Sequence, residues 1–582
     1  MTALRSVPAV SPRPPGNRVR RRAAFAAFAL LLALLFVAYL RLSRTYPENS
    51  DEANLLLMAG DLGHGNLLLS GWNVSDVPFI TTELPEIALL VRLLGLHLET
   101  AHVAAALTYT VVVAIALLLA AGGSPARRRH APLRMAVALA IMLAPQPGVG
   151  VFVLLFSVGH IGTAAPVMLT WLFLDRYWPP GEPATGRRPW RVPVIAAALL
   201  TWALLADPLV LVIAIVPVLA VTAVRLVTAR RRRDLPLAAA AIAAWLAAWC
   251  GQRLLRAAGG YTQQPVPFRL DPVRTWWDHA GAVTHGLLEM FGAFPVPGNA
   301  INQLGPGDTV AAPPLAGIAE AVAVTRLACV ALTVLACCVA ARGFFRRDAD
   351  LVGQLLLAGI VANLAAYLPS SLAEHTALNA REFAPVLPLA AVLAARTLAD
   401  PLARLLPAGP PGAPRRPPRA LAGRRALAAV LAALLGWFGF GLWHEAALPA
   451  APDPFARLEA FLLAHHLRAG IGGYWDASVI TVGTGGAVTV RAVTAGCLQP
   501  YAWESRPSWY HPGGRDRAAT FLLTSAAPGY FGRWQASPAA LRQLGSLLRP
   551  AGSAPLLPGA GFQVRAYQGN LLAALPELAG CR

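Results

Sequence analysis

The sequence predicts an α-helical polytopic membrane protein, with about eleven transmembrane helices and additional interfacial helices, followed by a C-terminal extracytoplasmic α/β domain. Hydrophobic residues make up 56% of the 582 residues and charged residues only 13%, and the mean hydropathy is +0.53. This composition is that of an integral membrane protein rather than a water-soluble globule. Arginines collect in short runs between apolar segments, as they do in cytoplasmic loops. After residue 443 the composition becomes that of an ordinary soluble domain.

The net charge of +20 is therefore interpreted as a topology signal and not as a nucleic-acid-binding surface. Residues 1–23 are rich in proline and arginine and are predicted to form a disordered cytoplasmic tail. The apolar segment that follows is long and lacks a small-residue cleavage site, so it is predicted to be an anchor rather than a cleaved signal peptide.

Residues 24–443 are predicted to form the membrane domain, because a span needs about 20 apolar residues and successive candidates alternate in a positive-inside arrangement. The segment 84–97 is short and carries Glu86 and Arg92. A crossing there would place the arginine run 127–129 outside, so this segment is predicted to be interfacial. Outer loops are expected at 43–100 and 256–314. The predicted spans are residues 24–42, 103–121, 135–159 (kinked by Pro145 and Pro147), 161–174, 192–206, 209–227, 236–255, 316–340, 351–368, 384–398 and 426–443.

Residues 444–582 are predicted to fold as a small α/β domain on the outer surface. The alternating runs 479–482 and 488–491, separated by Gly485-Gly486, predict a β-hairpin. The segments FARLEAFLLAHHLRAG and ALRQLGSLLR have the periodicity of amphipathic helices. Cys497 and Cys581 both lie in this domain, and an oxidising compartment permits a disulfide between them.

An acidic pair, Asp51-Glu52, follows the first span within the stretch SDEANLLLMAGDLGHGNLLLSGW (50–72). Its leucines predict an interfacial helix with one apolar side. A carboxylate held at the bilayer surface is well placed to accept a proton. The alternative is that Asp51 caps this helix and Glu52 favours its positive end.

Candidate cationic partners on the outer side are few. Arg269 and Arg274 lie in FRLDPVRTWWDHAGAVTHGLLEMFG, in which His279 and His285 are expected to face inward. The alternative for this segment is an interfacial helix with its aromatic residues in the membrane belt.

Arg381 lies at the outer mouth of a predicted span, where an unpaired charge is costly. It is either functional or paired locally with Glu382 or Glu374. His160 and Asp207 fall at the same outer level in the predicted topology. Each is either a substrate contact or a helix cap or satisfied polar residue.

Aromatic residues of the C-terminal domain, Tyr474-Trp475 and the run 501–510, could stack on sugars or form the core of the domain. No metal-ligand spacing, glycine-rich phosphate loop or Ser/His/Asp order is present in the sequence. A nucleotide-sugar donor is therefore not expected.

Taken together, these features resemble the GT-C superfamily of lipid-phosphosugar-dependent glycosyltransferases, in particular the protein O-mannosyltransferases and the lipid A aminoarabinose transferases. The matching residues are Asp51-Glu52 after the first span, followed by Ala59, Asp61 and Gly65. The chain departs from the family at 54–55, where Asn-Leu replaces the usual aromatic residue, so the family's mode of acceptor binding is not carried over.

The resemblance implies transfer of a sugar from a polyprenyl-phosphate donor to an extracytoplasmic glycan, lipid or protein acceptor. Asp51 would be the base, and Glu52 would orient the acceptor or a divalent cation (Mg²⁺ or Mn²⁺). Direct displacement predicts inversion at the anomeric carbon. Arginine suits the departing phosphate, because its planar fork binds two oxygens. The residues predicted to contact substrate or phosphate are His160, Asp207, Arg269, Arg274, His285 and Arg381.

The expected partners are the lipid-linked sugar, the acceptor and membrane lipids, with no nucleic acid. Two other classes of function remain open at this point. One is a transporter or flippase for a lipid-linked glycan, and the other is a non-catalytic membrane protein that binds envelope glycans.

Overall fold

The structure is a computed structural model in which a bundle of apolar helices carries a small α/β domain. The residues that it describes are 16–123, 130–156, 159–178, 190–266, 269–294, 317–373, 377–405, 418–513, 518–525, 534–553 and 561–580.

In the first part of the chain the described regular elements are helices and one short parallel pair of strands, β1 (Asn73–Val74) and β2 (Thr262–Gln263). Its helices are α1 Gly16–Ser43, α2 Ser50–Gly63, α3 Glu83–Leu94, α4 Glu99–Ala121, α5 Ala131–Met142, α6 Val149–Leu154, α7 Ala164–Tyr177, α8 Arg191–Ala206, α9 Val216–Ala229, α10 Leu235–Ala257, α11 Trp276–Met290, α12 Ile318–Gly343, α13 Leu351–Tyr367, α14 Val386–Leu405 and α15 Pro418–Glu445.

Seven helices in the described residues are long and apolar enough to cross a membrane, and α5, α8 and α13 are shorter apolar helices. The prediction of a multi-pass helical membrane protein is confirmed. The predicted span 135–159 is not one kinked helix, because α5 ends at Met142 and α6 begins at Val149. Pro145 and Pro147 lie in the break, since proline cannot supply the backbone N–H that a continuous helix requires.

Buried ion pairs join the helices at the end of the bundle away from α2. The Arg396 guanidinium of α14 contacts Asp175 of α7 and Asp350 at the start of α13, both at 2.8 Å, and also donates to the Leu119 carbonyl of α4 at 3.0 Å. Four helices therefore converge on one side chain. Because an arginine buried in an apolar bundle is stable only when paired, this contact fixes the relative positions of these helices.

The C-terminal domain is a five-stranded mixed sheet with strand order β4-β3-β5-β7-β6. Strand β3 pairs in parallel with β4 and β5, and β7 is antiparallel to β5 and β6. The strands are β3 Ala469–Gly472, β4 Thr489–Ala492, β5 Phe521–Ser525, β6 Arg549–Ser553 and β7 Phe562–Gln568, and the helices are α16 Ala456–Ala464, α17 Tyr474–Gly483, α18 Pro538–Leu547 and α19 Leu571–Ala574.

The predicted hairpin in this domain is wrong. Residues 479–482 belong to α17, which crosses from β3 to the parallel strand β4, so the unit is βαβ. The β-branched side chains Val479, Ile480 and Val482 are fully buried on this helix. Tertiary burial therefore overrides their strand propensity, and the positive-φ pair Gly485-Gly486 follows the helix instead of closing a hairpin turn. The helices predicted from FARLEAFLLAHHLRAG and ALRQLGSLLR are present as α16 and α18, but both are shorter at their ends: α16 stops at Ala464 and α18 at Leu547, and the chain then enters β3 and β6.

The C-terminal domain is seated on the membrane domain along α2 and β1. Helix α17 packs on α2, and Asn73 of β1 exchanges two backbone hydrogen bonds with Ser505, at 2.8 and 3.0 Å. Trp72 meets Trp509 edge to face, with ring centroids 5.1 Å apart. Helix α2 therefore does not lie open on a membrane surface as predicted, because its first turns are buried beneath the C-terminal domain.

Cys497 is disulfide-bonded, whereas the four cysteines of the membrane domain are free. The predicted partner, Cys581, lies outside the described residues.

Candidate active site

A cleft of about 680 Å³ lies where α2, the segment before α14 and the C-terminal domain meet. From the C-terminal domain it is lined by residues that follow β3 and β4, namely Tyr474, Trp475 and the segment 493–495, and also by Tyr501, Trp503 and Trp534. Ligand crevices of open α/β sheets lie outside the carboxyl ends of the parallel strands, where the connections diverge. The C-terminal domain thus presents this edge to the membrane domain.

Asp51 lies on the membrane-domain side of this cleft, in the first turn of α2. The Asn49 side chain caps the helix by accepting from the Asp51 backbone N–H at 2.8 Å, and Glu52 accepts from the Asn49 N–H at 3.3 Å. This reciprocal capping box fixes where the helix begins. Asp51 is therefore not the cap, and its carboxylate is directed to other partners near the positive end of the helix.

Glu52 is almost fully buried and is not among the described residues that line the cleft. Its Oε2 accepts from the Asn49 N–H in the capping box, and its role in orienting the acceptor or a cation stays a prediction. No group of three or more histidine, cysteine or acidic residues in the described part of the chain is arranged to hold a metal ion.

The Tyr474 hydroxyl joins Asp51 to a second buried carboxyl group. It lies 2.6 Å from Asp51 Oδ1 and 2.8 Å from Glu504 Oε2. The Asn54 amide completes this cluster, at 3.3 Å from the hydroxyl and 3.4 Å from Glu504. Burial, and then the nearby Asp51 charge, raise the pKa of Glu504 to about 8. Burial and the two carboxyl groups raise the pKa of the Tyr474 phenol well above its usual range.

Arg381 is the only cation among the described residues that line the cleft. Its guanidinium lies 3.6 Å from Asp51 Oδ2 and 3.7 Å from Glu382, so it is paired with both but bound tightly to neither. About a third of its side chain remains exposed (32%). A guanidinium with these loose contacts keeps N–H donors available for a ligand.

His160 and Asp207 extend the same network behind Arg381. His160 bridges Asp207 at 2.7 Å and Glu382 at 3.0 Å through its two ring nitrogens. The Thr163 hydroxyl also donates to Asp207. The four predicted residues Asp51, Arg381, His160 and Asp207 thus belong to one connected cluster, in which His160 and Asp207 hold Glu382 rather than line the cleft.

The remaining predicted residues lie elsewhere. Arg269 and Arg274 are exposed and do not line the cleft. The Arg269 backbone is held against Ser371 by two hydrogen bonds, of 3.2 and 2.9 Å. His285 pairs with Glu289 on the same helix at 3.0 Å and is half-exposed, whereas His279 is buried as predicted. The prediction of phosphate ligands in 269–285 is therefore not supported by these positions.

Two residues of this cluster were not predicted as site residues. The sequence indicated no role for Glu504, and for Tyr474 it allowed either stacking on a sugar or a place in the core of the domain. The available signal was the aromatic run around Glu504, an acidic residue among YAW and SWY. The proximity of Glu504 to Asp51 could not be predicted, because Glu504 is 453 positions further along the sequence.

The arrangement of the helical bundle and the C-terminal domain is a fold that solved structures of one membrane protein, ArnT, share. No protein-family model and no curated protein matches the chain. The solved structure of ArnT from Cupriavidus metallidurans bound to undecaprenyl phosphate is similar, with a TM-score of 0.53 and 12% identity over 94% of this chain and 98% of that chain.

The same enzyme in the apo state gives a TM-score of 0.52 and 14% identity, over 97% and 100% of the two chains. Likeness at this identity establishes a shared fold and does not by itself establish an activity. An oligosaccharyltransferase from Archaeoglobus fulgidus, in complex with Zn and sulfate, has a TM-score of 0.45 at 11% identity, over 85% and 68%. A TM-score below 0.5 does not demonstrate a common fold.

Proposed function

We propose that the chain is a membrane glycosyltransferase that moves a sugar from a polyprenyl-phosphate donor to a hydroxyl group of an extracytoplasmic acceptor, with inversion. The observation that carries the proposal is the placement of one carboxylate, Asp51, and one cation, Arg381, in a single cleft between the membrane domain and the C-terminal domain. A lipid-phosphate donor is supported by the similar ArnT structure, which holds undecaprenyl phosphate.

In the proposed reaction Asp51 is the general base. Its Oδ2 takes the proton of the acceptor hydroxyl as the acceptor oxygen forms a bond to the anomeric carbon. The bond from that carbon to the phosphate oxygen breaks at the same time, and its electron pair leaves with the phosphate. Arg381 is the group that neutralises the charge developing on the departing phosphate. One displacement of this kind inverts the anomeric centre.

The positions of the other groups fit these roles. Glu382 and His160 restrain Arg381 from behind, so its guanidinium stays near Asp51 instead of turning to solvent. Trp475, Trp503 and Trp534 supply apolar walls to the cleft. Flat apolar walls suit the apolar face of a sugar ring, so they are suited to holding the acceptor beside the base.

The test is the Asp51→Asn variant. The Asn side chain keeps an oxygen to accept from Tyr474, so folding is expected to persist while the base is lost. Transfer is expected to fall by about 10²- to 10⁴-fold. Transfer is measured as release of undecaprenyl phosphate from a panel of undecaprenyl-phosphate sugars mixed with envelope extract.

Asp278→Asn is the matched control, because this carboxylate is exposed on α11 and does not line the cleft. The control variant is expected to turn over like the wild type. An Asp51→Asn protein that is folded and fully active would overturn the proposed function.

A further inference from the structure

A single hydroxyl group, that of Tyr474, lies between two buried carboxyl groups from different parts of the fold. Asp51 comes from the membrane domain and is 7% exposed, and Glu504 comes from the C-terminal domain and is 2% exposed. The two contacts, of 2.6 and 2.8 Å, are both of normal hydrogen-bond length. Each contact therefore needs a hydrogen atom between its two oxygens.

A phenol has only one hydrogen to donate. If Tyr474 donates to one carboxylate, its contact with the other joins two acceptor oxygens unless that carboxyl group carries a proton. The Asn54 amide cannot supply the missing hydrogen, because its nitrogen lies outside both contacts, at 3.3 Å from the hydroxyl oxygen. Hydrogen counting thus requires one protonated carboxyl group in the cluster.

The surroundings decide which carboxyl group holds the proton. Asp51 lies in the first turn of α2, whose dipole favours an anion, and its Oδ2 lies 3.6 Å from Arg381. Glu504 has no cation in contact among the described residues. The groups that act on it are Tyr474, Asn54 and Ser75, which hydrogen-bond to it, and the charge of Asp51.

Two further groups interact electrostatically with Glu504 from a greater distance. Its charge acts on Tyr501, in its own loop, and on Arg381. Arg381 makes its ion pairs with Asp51 and Glu382 instead. The desolvated carboxyl group without a contacting cation is therefore the one that remains neutral.

We propose that Glu504 is a positioning acid for the base of the proposed reaction: it donates its proton to the Tyr474 oxygen, and the Tyr474 hydroxyl then donates to Asp51 Oδ1. This inference rests on the proposed function. The arrangement occupies one oxygen of Asp51 and leaves Oδ2 as the oxygen that takes the acceptor's proton. Glu504 itself keeps its proton throughout, so the reaction balances as described for Asp51 alone.

The positioning has a consequence that a purely structural role would not have. Deprotonation of Glu504 adds a second negative charge and makes it compete with Asp51 for the single Tyr474 hydrogen. Turnover is therefore expected to decline at alkaline pH. A general base alone would give the opposite trend, because its deprotonated fraction rises with pH. The decline should be centred near the raised pKa of Glu504, about 8.

The first test reads the proton without any substrate. Infrared difference spectra of the full-length protein in lipid nanodiscs, wild type minus Glu504→Gln, should show the carbonyl band of a protonated carboxylic acid at neutral pH. That band should disappear with a midpoint near 8, and Tyr474→Phe should shift its frequency, because the band's hydrogen-bond acceptor is removed.

Glu459→Gln is the matched control. Glu459 is a partly buried carboxyl group of the C-terminal domain, with a pKa raised to about 7, and it does not line the cleft. Its difference spectrum should not respond to Tyr474→Phe. The absence of a Glu504-dependent acid band at neutral pH, or a midpoint near the ordinary pKa of 4.5, overturns the proposal.

The second test uses turnover. Glu504→Leu removes the donor and should lower transfer by about tenfold, the equivalent of one hydrogen bond. Glu504→Gln restores a donor, so it should recover part of that loss and should lack the alkaline decline. An alkaline decline that survives in Glu504→Gln contradicts the assignment.

The two failures are distinguishable. An Asp51→Asn protein that still transfers sugar removes the proposed function and leaves the infrared result standing. A missing acid band removes only the positioning role of Glu504.

Discussion

Replacing Arg381 by glutamine tests whether this arginine binds the donor phosphate. The structure favours Arg381 for this role, whereas the sequence also suggested Arg269 and Arg274. Arg381 lines the cleft, whereas Arg269 and Arg274 are exposed outside it. A guanidinium holds a phosphate through two charge-assisted hydrogen bonds, and each such bond contributes about 1.5 to 3 kcal/mol. The loss in Arg381→Gln is therefore expected to be at least about 3 kcal/mol, or roughly 100-fold in affinity.

The variant should fold, because the contacts of Arg381 with Asp51 and Glu382 are long and 32% of its side chain is exposed. Ion pairs of this kind contribute about 0 to 1 kcal/mol. Binding of undecaprenyl phosphate to protein in nanodiscs can be followed by the fluorescence of the cleft tryptophans, with Arg269→Gln as the matched control. The reasoning is refuted if Arg381→Gln binds like the wild type, or if Arg269→Gln weakens binding equally.

Two further predictions concern stability. Arg396→Gln removes the guanidinium between Asp175 and Asp350 and should cost about 3 to 5 kcal/mol of unfolding free energy, measured by steric-trap unfolding. The control Arg346→Gln breaks a pair whose side chains are 70% and 79% exposed, and it should cost less than about 1 kcal/mol. Similar losses in the two variants would contradict a stabilising role for the Arg396 ion pairs. Because the pKa of Glu504 is raised from 4.5 to about 8, the folded state holds a proton that the unfolded chain releases, so the stability present below about pH 4 is lost as pH rises through about 8. Relative to Glu504→Gln, the wild type should lose about 5 kcal/mol of unfolding free energy across this interval. Parallel stability curves for the two proteins would exclude a raised pKa.

The parts of the site that the sequence predicts are those set by membrane topology. The arginine distribution predicts the direction of each span, and a predicted direction places certain loop residues at a common level. His160 and Asp207 were expected at one level for this reason, and their side chains are in contact at 2.7 Å. Asp51 was expected at the bilayer surface because it follows the first span, and in the structure it lines the cleft.

The parts that the sequence does not predict depend on how the C-terminal domain is seated. Tyr474 meets Asp51 across 423 positions of sequence, and no local pattern encodes such a distance. The same seating buries residues 479–482 on a helix, although their β-branching favours a strand. Arg269 and Arg274 have the right chemistry for phosphate, but backbone pairing to Ser371 fixes their segment outside the cleft.

The shared hydroxyl of Tyr474 has a consequence for grafting. A chimaera that joins this helical bundle to the terminal domain of a relative would inherit an aspartate whose orienting donor belonged to the discarded half. Exchange of the two domains between relatives is expected to preserve the orientation of Asp51 only when the new C-terminal domain also supplies Tyr474 and Glu504. These two residues and α2 therefore have to be transferred as one unit.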